Sequence, residues 1–109
     1  MKKIIGATAC TLTVFSLLAV GFAAGSGKES KGEQLFRKHC AQCHPDGGNI
    51  IKLDKTLRGE ALEKNRLKTE EDIIKLMRNP GPGMVKFGES VISEKDARAI
   101  AVYILKTFK

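Results

Sequence analysis

The chain has no tryptophan, one tyrosine, three cysteines and two histidines in 109 residues. Each scarcity closes off a class of protein. Three cysteines cannot build the disulfide framework that small exported domains use in place of a large core. One of the three, Cys10, stands in an apolar run near the N-terminus and reads as a small residue within it, which leaves Cys40 and Cys43 for the body of the chain. A zinc centre takes four ligands, and beyond Cys40, Cys43 and His44 only His39 remains, pinned beside Cys40. Aromatic residues do not alternate with basic ones, so the stacking surface of a nucleic-acid-binding protein is missing. No internal repeat or low-complexity tract breaks the chain, and no strand–helix alternation suggests a thioredoxin-like setting for a redox-active cysteine pair.

The N-terminus reads as an export signal. Lys2 and Lys3 precede an uncharged run from Ile4 to Ala24, and small residues occupy Gly21, Ala23, Ala24 and Gly25. The run is longer than the roughly 7–15 residues of an ordinary signal core and could span a bilayer. Residues 1–24 are therefore expected to be a signal peptide cleaved near Ala23, or an uncleaved membrane anchor that tethers the domain through residues 4–24. Either way the rest of the chain faces the periplasm. Residues 25–30 are Gly/Ser-rich and polar, as in a flexible leader, and residues 31–109 form the domain.

A domain of that size buries too little apolar surface to be comfortably stable alone. The sequence offers one staple. Cys40-Ala41-Gln42-Cys43-His44 is a C-x-x-C-H run, the signature of covalent c-type haem attachment. Two thiols three positions apart can reach the two vinyl groups on one porphyrin edge, and the following imidazole falls beneath the iron as proximal ligand. The expected cofactor is one haem c, bound through two thioethers.

The sixth iron ligand is argued by elimination. His39 is held on the proximal side by its neighbour Cys40 and reads as a helix-face residue. Met77 follows Ile73 and Ile74 at helical spacing, which makes it a core methionine. Met84 follows Pro80-Gly81-Pro82-Gly83, a stretch that cannot be helical and so presents its methionine from a loop. Met84 is the leading candidate, with Met77 and an open sixth position as alternatives. Ligation by His44 and Met84 fills both axial positions, which implies electron transfer and no enzymatic activity.

Caps and periodicity place four helices. Ser30 with Glu33 begins the first, which delivers Cys40. Asp54 could cap a second, weaker helix through Thr56, Leu57, Ala61 and Leu62. Thr69 with Asp72 begins the third, which stops before Asn79-Pro80. Ser93 with Asp96 begins the last, where Ala97, Ile100, Ala101, Ile104, Leu105 and Phe108 recur on one face. Ala99, Val102 and Tyr103 give it a second apolar side, so it should pack against both the first helix and the haem.

From about Lys31 to Phe108 the domain resembles the class I cytochromes c, and within them the cytochrome c6/c553 group. Phe36 before Cys40, Gly47-Gly48-Asn49-Ile50 after His44, Lys55-Thr56-Leu57 and Gly83-Met84-x-x-Phe87-Gly88 recur there at similar spacing. It is also similar to small monohaem cytochromes of the cell envelopes of metal-reducing bacteria. The resemblance implies an all-α fold of about four helices wrapped around one covalently attached haem, its first and last helices crossing at Gly32, Phe36 and Tyr103. It also implies that Asn49 and Lys55 lie on the haem propionate side. Where family members commonly have Met-Pro, this chain has Met84-Val85, and no feature implies a photosynthetic role.

The 19 basic and 12 acidic residues include Lys2 and Lys3, without which the excess falls from +7 to +5. A moderately basic carrier suits redox partner proteins with acidic docking surfaces, met through salt-sensitive, transient contacts. Lys38, Lys52, Lys55 and Lys86 flank the haem-bearing segments. A monomer that binds no nucleic acid is expected. The alternatives are a haem sensor or weak peroxidase with a labile Met84 bond, and a permanent subunit of a larger complex, which a retained anchor would favour.

Overall fold

The computed structural model describes residues 27–108, and the expectation of a signal peptide or anchor over residues 1–24 lies outside them. Helix α1 spans Lys31–His39, α2 Gly59–Lys64, α3 Glu70–Arg78 and α4 Glu94–Thr107, with a 3-10 turn at Pro45–Gly47. Among the described residues there is no strand, so the domain is all-α. No helix among them is long and apolar enough to cross a membrane.

Side-chain caps start three of the helices where the sequence places them. Ser30 Oγ accepts from Glu33 N at 3.1 Å and Ser93 Oγ from Asp96 N at 3.2 Å. Thr69 and Asp72 form a complete reciprocal box, in which Thr69 Oγ1 accepts from Asp72 N at 3.2 Å and Asp72 Oδ2 from Thr69 N at 2.9 Å. Hydrogen bonds from Thr69 and from the Lys68 N–H hold the Asp72 carboxyl below the usual carboxylate range. A group whose native pKa is depressed contributes stability in full at neutral pH and loses it as the pH falls through that native value. Asp72→Asn should therefore lower the denaturation midpoint at pH 7. The gap to the parent protein should close on acidification below ~4, the ordinary aspartate pKa, as urea titrations at several pH values would show.

The second helix departs from expectation. It begins at Gly59, after Arg58, and has no side-chain cap, so Asp54 caps nothing and Thr56 and Leu57 precede the helix. The reason is tertiary: Leu57 N–H donates to Gly47 O at 2.7 Å and its side chain is buried, which pins residue 57 outside the helix, against the turn that follows His44. An Asp54 cap would have to compete for that same N–H, the third of a helix starting at 55.

The core unites Leu35 and Phe36 of α1, Leu57, Leu62, Ile73, Ile74 and Met77 of α3, Ile92, and Ala97, Ile100, Ala101 and Ile104 of α4. Helix α4 packs on α1 and on α3. Where α1 crosses α4, a Cβ on Gly32 would lie 2.2 Å from Ala99 O and 2.9 Å from Tyr103 Cβ. Only glycine fits a backbone approach that close. Phe36 stands 5.3 Å, centroid to centroid, from both Tyr103 and Phe108, and those two rings are 5.7 Å apart. The crossing at Gly32, Phe36 and Tyr103 is thus as the family resemblance implies. Gly32→Ala should destabilise the folded protein by about 1–3 kcal/mol, the usual cost of forcing extra atoms into a close-packed contact, as thermal unfolding would reveal.

The end of α4 reaches back to the motif. Phe108 O accepts from Gly59 N at 3.0 Å, and a Cβ on Gly47, whose φ is +77°, would lie 2.6 Å from the Phe108 ring. Glycine at 47 thus serves two constraints, a left-handed backbone and an aromatic ring laid against it.

Candidate functional site

The site is built from the C-terminal end of α1 downward. Cys40 caps that helix, its N–H donating to Phe36 O. Cys43 N and His44 N then both donate to Cys40 O, at 3.1 and 2.9 Å, so the chain coils tightly from one cysteine to the histidine. Ile50 N returns to Cys43 O at 3.0 Å and closes the loop. His44 is buried, and its Nδ1 lies 2.7 Å from Gly48 O. A carbonyl can only accept, so Nδ1 is the protonated nitrogen and Nε2 keeps its lone pair for a metal.

Cys40, Cys43 and His44 line a cavity of about 310 Å³. Leu57, Leu67, Leu76 and Phe87 give it an apolar interior, Pro82, Gly83, Met84 and Val85 form another part of its wall, and Asn49, Lys52, Lys55 and Asn65 complete the lining. The structure therefore brings together all six residues singled out in the sequence: Cys40, Cys43, His44, Asn49, Lys55 and Met84. Met77 is 3% exposed in the core and is not among the lining residues. His39 lines the cavity beside Cys40, its ring 6.0 Å from that of Phe87 in an edge-on arrangement.

Burial pushes the Cys40 thiol up to about 11. A thiol held neutral is a poor nucleophile for disulfide exchange, whose reactive cysteines have depressed pKa values. Among the described residues no group of three or more His, Cys, Asp and Glu side chains converges to hold a metal ion. Neither a thiol–disulfide centre nor a zinc centre fits this site. A mostly apolar cavity with two cysteines and an oriented imidazole on its wall does fit a large, flat, metal-bearing group.

Several details lie beyond the sequence reading. The Asn49 side chain is a loop staple: Oδ1 accepts from Ile51 N and Lys52 N at 2.9 and 2.8 Å, and Nδ2 donates to Lys55 O at 2.9 Å. Lys55 Nζ donates to Asn65 Oδ1 at 2.6 Å. Leu67 enters the cavity lining from a short connection with no periodicity, reached through a left-handed Arg66 at φ 59°. Helix α4 supplies no lining residue, which corrects the expectation that it would face the haem. Its apolar sides are consumed by α1 and α3, and those helices supply His39 and Leu76 to the wall in its place.

A helical domain closed round such a cavity, with a C-x-x-C-H segment in its wall, has the architecture of a small c-type cytochrome. The family model described as cytochrome c oxidase, cbb3-type, subunit III matches residues 27–104. Cytochrome c6 of Pyropia yezoensis is 38% identical over 95 residues, covering 85% of this chain and 86% of the relative. The outer membrane cytochrome F of Geobacter sulfurreducens superposes with a TM-score of 0.70 at 45% identity, over 72% of this chain and 99% of that one. Cytochrome c6C of Synechococcus sp. PCC 7002 superposes with a TM-score of 0.67 at 33% identity, over 72% and 94%. The chain belongs to the class I cytochromes c, as a small member of cytochrome c6 type. It is an electron carrier of the haem c class and not an enzyme.

Proposed function

We propose that the chain is a one-electron carrier of the periplasm or cell envelope, with one haem joined to Cys40 and Cys43 by thioethers and held between His44 and Met84. The observation that carries this reading is that both cysteines, the oriented imidazole of His44 and the loop methionine Met84 line one apolar cavity. When bound, haem supplies an iron that alternates between the ferrous and ferric states. His44 is fixed by its bond to Gly48 O, so its lone pair needs no reorientation when the charge changes. The soft Met84 thioether favours the reduced form and raises the potential. Leu57, Leu67, Leu76 and Phe87 exclude water, which keeps solvent reorganisation small.

Asn49 and Lys55 take the propionate side in this reading. Asn49 acts by shaping the loop, since its side-chain oxygen is already committed to two backbone N–H groups. Exposed Ile51, Leu53 and Val85, interspersed with Lys52 and Lys86, suit brief docking to an acidic redox partner. The run from Ile4 to Ala24 supports export, and fractionation of cells would distinguish a cleaved from a tethered form.

Visible spectra of the oxidised and reduced protein, with a redox titration and carbon monoxide added to the reduced form, test the proposal. A c-type spectrum, a sulfur-to-iron charge-transfer band and no response to carbon monoxide are expected. A high-spin spectrum or ready carbon monoxide binding would instead favour the sensor or peroxidase reading, for which Val85 after Met84, where the family commonly has proline, is the supporting feature.

A further inference from the structure

The loop from Asn79 to Ile92, which carries Met84, has little of its own to hold it. Between Pro80 and Lys86 the one hydrogen bond within the described residues is Met84 N to Gly81 O, at a long 3.5 Å. On the N-terminal side Pro80 and Pro82 stiffen the backbone. On the C-terminal side Val85 and Lys86 are exposed, and Val85 carries no ring to fix its φ.

The restraint there comes from Arg78, the last residue of α3. Its Nη1 donates to Phe87 O at 3.0 Å and to Ile92 O at 2.8 Å. Phe87 N in turn donates to Met77 O at 2.9 Å. Phe87, three residues beyond Met84, is thus held at both its N–H and its C=O, each time by a residue at the end of α3. The Arg78 side chain is only 18% exposed, and its Nη2 lies 3.6 Å from Glu94 Oε2, which draws the guanidinium toward the start of α4. Charge-assisted bonds from a planar, partly buried fork hold geometry better than neutral ones.

We propose that Arg78 is the positioning residue for Met84: its clamp on the Phe87 and Ile92 carbonyls holds the loop so that the thioether stays at the iron. This inference rests on the reading of Met84 as the sixth ligand. Loss of the clamp raises the fraction of molecules with the thioether displaced, and the affinity for an exogenous sixth ligand rises in proportion to that fraction.

The test uses holoprotein carrying Arg78→Gln, Arg78→Lys or Met84→Ala. Expected for R78Q are a weakened sulfur-to-iron band, a lower midpoint potential and carbon monoxide binding by the reduced form, which the parent lacks, in proportion to the fraction with the thioether displaced. These changes should appear at temperatures where far-ultraviolet circular dichroism still reports a folded protein. R78K, which keeps the charge on a single donor nitrogen without the planar fork, should show the same changes at smaller size. If R78Q lowers the unfolding temperature while band, potential and carbon monoxide response stay as in the parent, Arg78 is merely structural and the inference fails. Should R78Q yield no holoprotein, R78K decides, and a parental band in it overturns the proposal. The M84A arm separates the two readings: a band surviving there refutes Met84 ligation itself, whereas a band lost in M84A but intact in R78Q refutes only the positioning role.

Discussion

Met84→Ala is expected to abolish the sulfur-to-iron charge-transfer band of the oxidised protein and to lower the midpoint potential by some tenths of a volt, within the roughly 0.8 V that axial ligands can span. The reduced variant should also bind carbon monoxide. Alanine has no donor atom, so with Met84 as the sixth ligand the substitution would strip the ferrous state of the soft donor that favours it. The control is Met77→Leu. Met77 is 3% exposed among Ile73, Ile74 and the other core residues, and it is not one of the residues that line the cavity. A volume-conserving swap there should cost under about 1.5 kcal/mol of stability and leave the spectrum unchanged. A band that survived M84A, or disappeared in M77L, would reverse the assignment of the two methionines.

The two methionines also mark what a sequence can and cannot disclose. Met77 is separated from Met84 by local signals alone: helical spacing after Ile73 on one side, two prolines and two glycines on the other. The caps of α1, α3 and α4 are equally local, each a hydroxyl accepting from an N–H three residues on, and all three stand where the sequence places them. The misplaced start of α2 has the opposite character. Leu57 is decided by a partner ten residues earlier, Gly47 O, and no propensity of Asp54 or Thr56 reports that bond. Arg78 is likewise silent in the sequence, where it reads as an ordinary basic residue closing a helix, because the carbonyls it holds lie nine and fourteen residues away. The second apolar side of α4 is legible but its destination is not. Periodicity reveals that Tyr103 needs cover and the family resemblance points to Phe36, whereas only the fold adds Phe108.

Replacing both Cys40 and Cys43 with alanine is expected to give a chain that does not hold this fold. The argument is one of magnitude. A native domain of this size is stable by about 0.05–0.15 kcal/mol per residue, or roughly 4–12 kcal/mol for some eighty residues. Core cavities cost about 24 cal/mol per Å³. Left without its group, the site's cavity of about 310 Å³ corresponds to about 7 kcal/mol by that slope. Its open mouth admits water and makes the figure an upper bound, yet even half of it would consume much of the available stability. Nor can the loops round the cavity collapse freely to fill it, because Asn49 and Arg78 bond their backbones in place and Lys55 is linked to the Asn65 side chain. Far-ultraviolet circular dichroism of the double variant should therefore show largely lost helix, and the protein should be degraded in cells. With the proposed attachment, the single variants would keep one thioether and His44, so they should retain haem at reduced stability. Native helicity with a cooperative thermal transition in the haem-free double variant would mean that the four helices are self-sufficient. The haem would then be a guest in a finished fold instead of the centre about which Leu57, Leu67, Leu76 and Phe87 come together.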